Sequence, residues 1–201
     1  MSKLSRRFGR RSLLAGGALV AALALPATAL AASFVGTPGP DHLVGTASAD
    51  TMNGLAGNDV LEGRGGADLL YGADGADWLY GNDGNDWLYG GSGSDHAYGG
   101  GGADRIWGGT GNDVLSGGPG ADAIWGGPGT DVLYGGDGPD VLSGGAGHDL
   151  IYGGSGNDVI YAGGDKAADA VHCGPGWDVA YVGRYDIVDS SCERVVRTLE
   201  P

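Results

Sequence analysis

The chain has 201 residues, with 25 Asp+Glu against 11 Lys+Arg, 45 Gly, 8 Pro and 2 Cys, for a formal net charge of -14. The length fits one domain, and the acidity excludes nucleic acid and anionic membrane as partners. Two Phe and two Met among so many glycines exclude an ordinary two-layer core, because too little apolar volume exists to offset the backbone entropy of Gly.

Gly and Pro together make about a quarter of the chain; without a period that composition is disordered, and with one it is a repeat. At the start, Lys3, Arg6, Arg7, Arg10 and Arg11 stand in a segment with no acid, and the rest of the chain sets six basic residues against 25 acidic ones. The basic segment 1–12, the apolar run 13–25, Pro26 and the small residues Ala27-Thr28-Ala29-Leu30-Ala31-Ala32 have the layout of a cleaved export signal over residues 1–31. The cut falls after Ala31 in an A-x-A frame, with Ala29 and Ala32 as near equivalents. The run is short and holds Gly16 and Gly17, which argues against a membrane span; the alternative is an uncleaved anchor over 13–32. Arg10-Arg11-Ser12-Leu13-Leu14 reads as a twin-arginine signal, implying export in a folded state, and the general secretory route stays open. Either route predicts a secreted, extracellular protein with no membrane span after signal cleavage.

From Asp41 onward every ninth residue is aspartate: Asp41, Asp50, Asp59, Asp68, Asp77, Asp86, Asp95, Asp104, Asp113, Asp122, Asp131, Asp140, Asp149 and Asp158. Five residues before each stands Gly, from Gly36 to Gly153, and two before each stands Gly again, with Ser48 the exception. Two residues after each comes a core-type side chain, such as Leu43, Met52, Leu61 or Ile106, of which Ala97 is the small one. Each repeat is therefore a six-residue Gly turn ending in Asp, followed by a three-residue strand whose middle member points inward. So small a unit buries its apolar residue only by stacking on copies of itself, which makes a solenoid. Two repeats close one coil of eighteen residues, so residues i and i+18 lie about 4.8 Å apart. The fourteen repeats over 36–161 predict seven coils in a roll about 34 Å long.

That geometry stacks the aspartates into two ladders, one on each edge. Neighbouring carboxylates at this spacing repel by about 0.9 kcal/mol at the dielectric of water and about 3.5 kcal/mol at an effective value of 20. Only Arg64 and Arg105 lie within the repeats to neutralise them. A hard divalent cation is the natural counter-charge: calcium takes six to eight oxygens, which facing turns supply as carboxylates and backbone carbonyls, whereas magnesium wants a tighter octahedron.

The runs Gly126-Gly127-Pro128-Gly129-Thr130-Asp131-Val132-Leu133-Tyr134 and Gly153-Gly154-Ser155-Gly156-Asn157-Asp158-Val159-Ile160-Tyr161 follow G-G-x-G-x-D-x-U-x. The chain resembles the RTX, or haemolysin-type calcium-binding, nonapeptide repeat proteins over residues 36–161. The resemblance implies an all-β, right-handed parallel β-roll holding calcium between successive turns, with at most about twelve ions in the six gaps of each edge. The second Gly of the turn runs from Gly91 to Gly154 but is replaced earlier by Thr37, Thr46, Leu55, Arg64, Ala73 and Asn82, so weaker binding is expected in the first six turns. Members of this family usually carry the roll beside an enzymatic or pore-forming domain. Here almost nothing but roll is present, so those activities do not carry over.

No H-E-x-x-H or G-x-S-x-G occurs, and His42, His96, His148 and His172 lack any zinc spacing, so no catalytic residue is expected. The last position of the repeat is often aromatic, and at a spacing of eighteen Tyr71, Tyr89, Trp107 and Trp125 form a column. Two readings stand: a ladder of cross-strand pairs, or a flat ligand face for polysaccharide or protein, as in an adhesin or carbohydrate-binding module. After Asp158 an insertion of two residues precedes Asp169 and Asp178, and the segment 162–201 is expected to cap the roll. Cys173 and Cys192, nineteen apart, come within disulfide range in stacked coils if one residue bulges, which export favours. Similar Cys-Gly-x-Gly-x-Asp tails with a later Cys-Glu occur in RTX-like secreted proteins, so the resemblance extends through this segment.

Overall fold

The alternation of one inward side chain between two outward ones sets the whole architecture. The inward residue of every repeat, from Leu43 and Met52 through Ile106 to Ile160, is at most 2 % exposed, while its neighbours on the strand, buried Val44 apart, are partly or fully exposed. The computed structural model describes residues 13–14 and 31–198. Nearly all of the expected export signal lies outside these residues. Leu13–Leu14 is described, and pairs in parallel with Phe34 and Val35. Among the described residues no helix is long and apolar enough to cross a membrane.

Among the described residues, strands from alternate repeats build two parallel sheets, one of eleven strands and one of nine. The first includes Thr51–Ala56, Leu69–Asp74, Trp87–Ser92, Arg105–Thr110, Ala123–Pro128 and Val141–Ala146; the second includes Val60–Gly65, Trp78–Asp83, His96–Gly101, Val114–Pro119, Val132–Asp137 and Leu150–Ser155. Register is offset by eighteen residues, as in Ile106 with Leu88 and Ile124. This is an all-β parallel β-roll, with one strand of each coil in each sheet and the aliphatic residues of both sheets meeting between them.

The strands are longer than the expected three residues. Most span six, because the ladder continues through the glycine pair, as in Gly109 with Gly91 and Thr110 with Ser92. A residue with no side chain, or one held in the left-handed region, bends the chain without breaking the inter-coil pairing. The second turn position is that left-handed one: Gly91 has φ 118°, and Leu55, Arg64, Ala73 and Asn82 are held at φ 82°, 80°, 82° and 71°. For residues with a Cβ this conformation costs about 1–2 kcal/mol. Leu55→Gly is therefore expected to raise stability in calcium by up to about 1 kcal/mol, after the entropy lost by adding glycine. Calorimetry checks this, and an unchanged or lower midpoint would show that the Leu55 side chain contributes more than its backbone costs.

The roll also continues beyond residue 161, where a cap was expected. The two inserted residues are absorbed in the loop before Asp169, and Ala170–His172, Val179–Val182, Ile187–Val188 and Arg194–Arg197 add further parallel rungs. Cys173 and Cys192 are joined, with Cα atoms 5.1 Å apart, tying the last coils together.

Candidate metal centre

Every aspartate of the two ladders turns inward, and the fourteen from Asp41 to Asp158 are between 0 and 7 % exposed. The cause lies in the backbone: each N–H of the ladder donates to Oδ1 of the aspartate one coil later. Asp95 donates to Asp113 at 2.8 Å, Asp113 to Asp131 at 2.9 Å, and on the other edge Asp104 to Asp122 and Asp122 to Asp140 at 2.8 Å. The first glycine of each turn makes room for this. A Cβ on Gly90 would lie 2.5 Å from Asp95 Oδ2 and 2.5 Å from the Gly108 carbonyl oxygen, so the carboxylate occupies the space that any side chain would fill.

From Asp59 onward one oxygen of each ladder carboxylate up to Asp178 is then left over. Among the described residues, fourteen buried Oδ2 atoms have no hydrogen-bond partner: those of Asp59, Asp68, Asp77, Asp86, Asp95, Asp104, Asp113, Asp122, Asp131, Asp140, Asp149, Asp158, Asp169 and Asp178. A buried unsatisfied polar group costs about 1–3 kcal/mol, and more when charged. Fourteen of them outweigh the roughly 5–15 kcal/mol that holds a domain together. Burial pushes Asp95, Asp104, Asp131 and Asp140 up to about 7, and Asp59, Asp122 and Asp158 up to about 6. For Asp95 the backbone hydrogen bond from Asp77 pulls the other way, and the carboxylates of Asp113 and Asp77 add a smaller push. Loss of water, rather than the neighbour repulsion expected from the sequence, is the larger cost.

The six turns that lack the second glycine divide into two kinds. Leu55, Arg64, Ala73 and Asn82 keep the left-handed backbone, and the aspartates of their turns, Asp59, Asp68, Asp77 and Asp86, keep an unpartnered oxygen. Thr37 and Thr46 do otherwise. Thr37 donates to Asp41 Oδ2 through its N–H at 2.5 Å and its hydroxyl at 2.9 Å, and Thr46 does the same to Asp50 at 2.6 and 2.9 Å. In the first coil, protein donors satisfy the oxygens that have none in the later repeats. Sequence reasoning placed Asp41 and Asp50 with the other twelve because the threonine hydroxyls carry no periodic signal. It also left out Asp169 and Asp178, whose offset of twenty from Asp149 and Asp158 hides ladder bonds of 2.9 and 2.8 Å.

No group of three or more His, Cys, Asp and Glu side chains converges on one point among the described residues. Carboxylates alone therefore do not form a site, and backbone carbonyls are needed to fill a shell of six to eight oxygens. Buried anionic oxygens beside glycine backbone are the hard, oxygen-only donor set that calcium takes and that zinc or copper does not favour. A family model, the RTX calcium-binding nonapeptide repeat, matches residues 35–70, 62–97, 71–104, 98–133 and 134–166. The chain belongs to this family. Comparison with curated proteins returns no match. The RTX repeats account for the aspartate register, the glycine cradle and the orphaned oxygens together.

The histidines make their closest contacts outside the ladders, although His96 and His148 lie near enough to favour the charged forms of Asp113 and Asp149. His42 Nε2 lies 2.8 Å from Glu62, His96 stacks on Trp78 at 4.2 Å, His148 meets the Ala168 backbone, and His172 lies 2.6 Å from Asp189. The aromatic column is present: Tyr71–Tyr89, Tyr89–Trp107 and Trp107–Trp125 are stacked at 4.9, 4.5 and 4.8 Å with interplanar angles of 14°, 2° and 9°. The ring faces thus meet each other along the column and leave mainly edges outward.

Proposed function

We propose that this RTX protein is an exported calcium-binding roll that folds as it loads the ion outside the cell. The observation that carries the reading is the set of orphaned, buried Oδ2 atoms. Twelve of them lie within the nonapeptide repeats, one for each of the six gaps per edge, which supports about twelve ions there. Each carboxylate contributes one oxygen to calcium while its other oxygen holds the ladder, and glycine-turn carbonyls complete the shell. Because the ion enters only an assembled pair of turns, its binding free energy is folding free energy. No catalytic step is assigned to any residue. Counting bound ions by native mass spectrometry in calcium and in magnesium tests the reading: many calcium ions per chain, and fewer in Asp113→Asn, are expected. A wild-type chain that stays metal-free in millimolar calcium overturns it.

Export follows from the basic and apolar start of the chain, with the mature protein beginning at Ala32. A chain that folds only where calcium is plentiful crosses the membrane unfolded, which favours the general secretory route over the twin-arginine one. Arg10→Lys with Arg11→Lys is then expected to leave export unchanged, and a block of export would assign the folded-state route.

A second reading, an extracellular adhesin or carbohydrate-binding module, draws on the half-exposed Trp78, Trp87, Tyr134 and Tyr161, which are 41, 42, 42 and 43 % exposed. Face-to-face stacking favours the structural role for Tyr71, Tyr89, Trp107 and Trp125. Tyr89→Ala with Trp107→Ala is expected to lower stability by about 1–3 kcal/mol over the broken stacks and to leave a glycan array unchanged. Lost binding to a defined polysaccharide, with the calcium-loaded fold intact, would instead support the adhesin.

A further inference from the structure

The roll has two ends, each with sheet edges. Among the described residues the larger sheet runs from Leu13–Leu14 and Ser33–Val35 to Arg194–Arg197, and the smaller from His42–Val44 to Ile187–Val188. A strand at the margin of a sheet presents a row of N–H and C=O groups that is a template for a further strand. At the C-terminal end the core is open as well. Val195 continues the inward column of Ile160 and Ala180, yet it is 40 % exposed where they are 0 %. The most exposed large apolar side chains among the described residues, Ile187, Trp177 and Tyr185 at 70, 68 and 56 %, stand at this end too.

The N-terminal end is its complement. Phe34 and Leu43 head the two inward columns, level with Met52 and Leu61. The Ala32 C=O accepts from Thr51 and the Gly36 N–H donates to Asn53; alternate residues of a strand turn their amides to opposite sides, so Ser33 and Val35 aim theirs away from the roll. Leu13–Leu14 pairs in parallel on that side, but it belongs to the segment that export removes. At the other end Arg194 and Thr198 donate back to Asp178 and Val182, which turns the amides of Val195 and Arg197 outward. One aspartate ladder starts with the Asp41 N–H on Asp59 and ends with the Asp169 N–H on Asp186, so a further coil would bring an Asp41 carboxylate to the Asp186 N–H. Charge is complementary: Arg184, Arg194 and Arg197 stand at the C-terminal end, and residues 32–63 hold Asp41, Asp50, Asp59 and Glu62 with no Lys or Arg.

We propose that exported rolls stack head to tail, Arg194–Arg197 of one copy pairing in parallel with Ser33–Val35 of the next, and Ile187–Val188 with His42–Val44. The inference rests on the reading that residues 1–31 are removed on export. A solenoid whose strands all run one way meets a second copy as it meets its own next coil. Val195 then covers Phe34, Val188 covers Leu43, and the Val35 N–H reaches the Val195 C=O. Main-chain hydrogen bonds supply affinity in strand addition of this kind. Because the two surfaces differ, the contact does not close on itself and builds open filaments.

The test is sedimentation velocity of the exported protein in calcium, after intact mass has placed its first residue and circular dichroism has shown the β fold of each variant. The wild type is expected to grow in mass with concentration and to form rods one roll wide in electron micrographs. Val35→Pro removes an N–H that faces away from the roll and none that faces it, a change that an edge strand tolerates, and is expected to be monomeric. Val195→Lys sets an ammonium into the open column and is expected to be monomeric too. An equimolar mixture keeps one intact joint, between the C-terminal end of Val35→Pro and the N-terminal end of Val195→Lys, and should give dimers and nothing longer. A wild type of one-chain mass at every concentration overturns the proposal, and so does self-association that both variants keep. A mixture that stays monomeric overturns the head-to-tail geometry. If the exported chain still carries residues 1–31, the export reading fails, and this inference with it.

Discussion

In chelator, the protein is expected to hold its β structure near pH 4 and to lose it as the pH rises through about 6 to 7. Burial raises the ladder carboxyls above their ordinary value of 3.8, to about 7 for Asp68, Asp95, Asp104 and Asp169 and about 6 for Asp59 and Asp158. A group whose folded value is raised stabilises the fold fully below its unfolded value, and that contribution disappears as the pH climbs through the folded one. A protonated Asp is neutral and suits the dry interior; an ionised one does not. With calcium present the dependence inverts, because the ion binds the carboxylate and displaces the proton. The calcium concentration at half-folding should therefore fall as the pH rises from about 5 to about 8. Circular dichroism across this range, with and without chelator, checks both halves. A metal-free chain as well folded at pH 8 as at pH 4 would mean that the carboxylates find partners other than metal or proton.

Gly90→Ala is the second large effect. The new Cβ would stand 2.5 Å from Asp95 Oδ2 and from the carbonyl oxygen of Gly108 in the next coil. One of these is a backbone atom of a paired strand and cannot move alone, so the coils must separate or Asp95 must leave its ladder. Overpacking of this kind costs about 1–3 kcal/mol, and the displaced carboxylate also loses its place beside the turn. A rise of roughly tenfold in the calcium needed for half-folding is expected, at about 1.4 kcal/mol per decade. Gly101→Ala is the matched control, since its Cβ would meet only Asp83 Oδ1 at 4.0 Å. Equal effects at the two positions would refute the assignment of Gly90 to the carboxylate cradle.

The period of nine made the fold legible because every rung repeats the same rule. The inward position, the eighteen-residue offset and the column through Tyr71, Tyr89, Trp107 and Trp125 can all be read by counting. What counting misses is whatever is done once. Thr37 and Thr46 replace a glycine and look like simple losses, yet their hydroxyls satisfy Asp41 and Asp50. Asp169 and Asp178 fall out of register by two residues, and only the structure shows the ladder passing over the inserted loop. Glu193 carries no repeat signal at all, although it completes one edge. Strand length was underestimated because glycine usually marks a turn; here the pair Gly90 and Gly91 lies inside Trp87–Ser92, where the neighbouring coil keeps the backbone paired.

The most direct test of the account is far-UV circular dichroism of residues 32–201 at neutral pH in EDTA, titrated first with calcium and separately with magnesium. A coil spectrum is expected that converts to β with calcium at about 10⁻⁴–10⁻³ M, the range of extracellular modules, and does not convert with magnesium at the same concentration. A stable β spectrum in EDTA would contradict it: the buried aspartates would then be tolerated without an ion, and calcium would be a passenger on the roll rather than the agent that folds it.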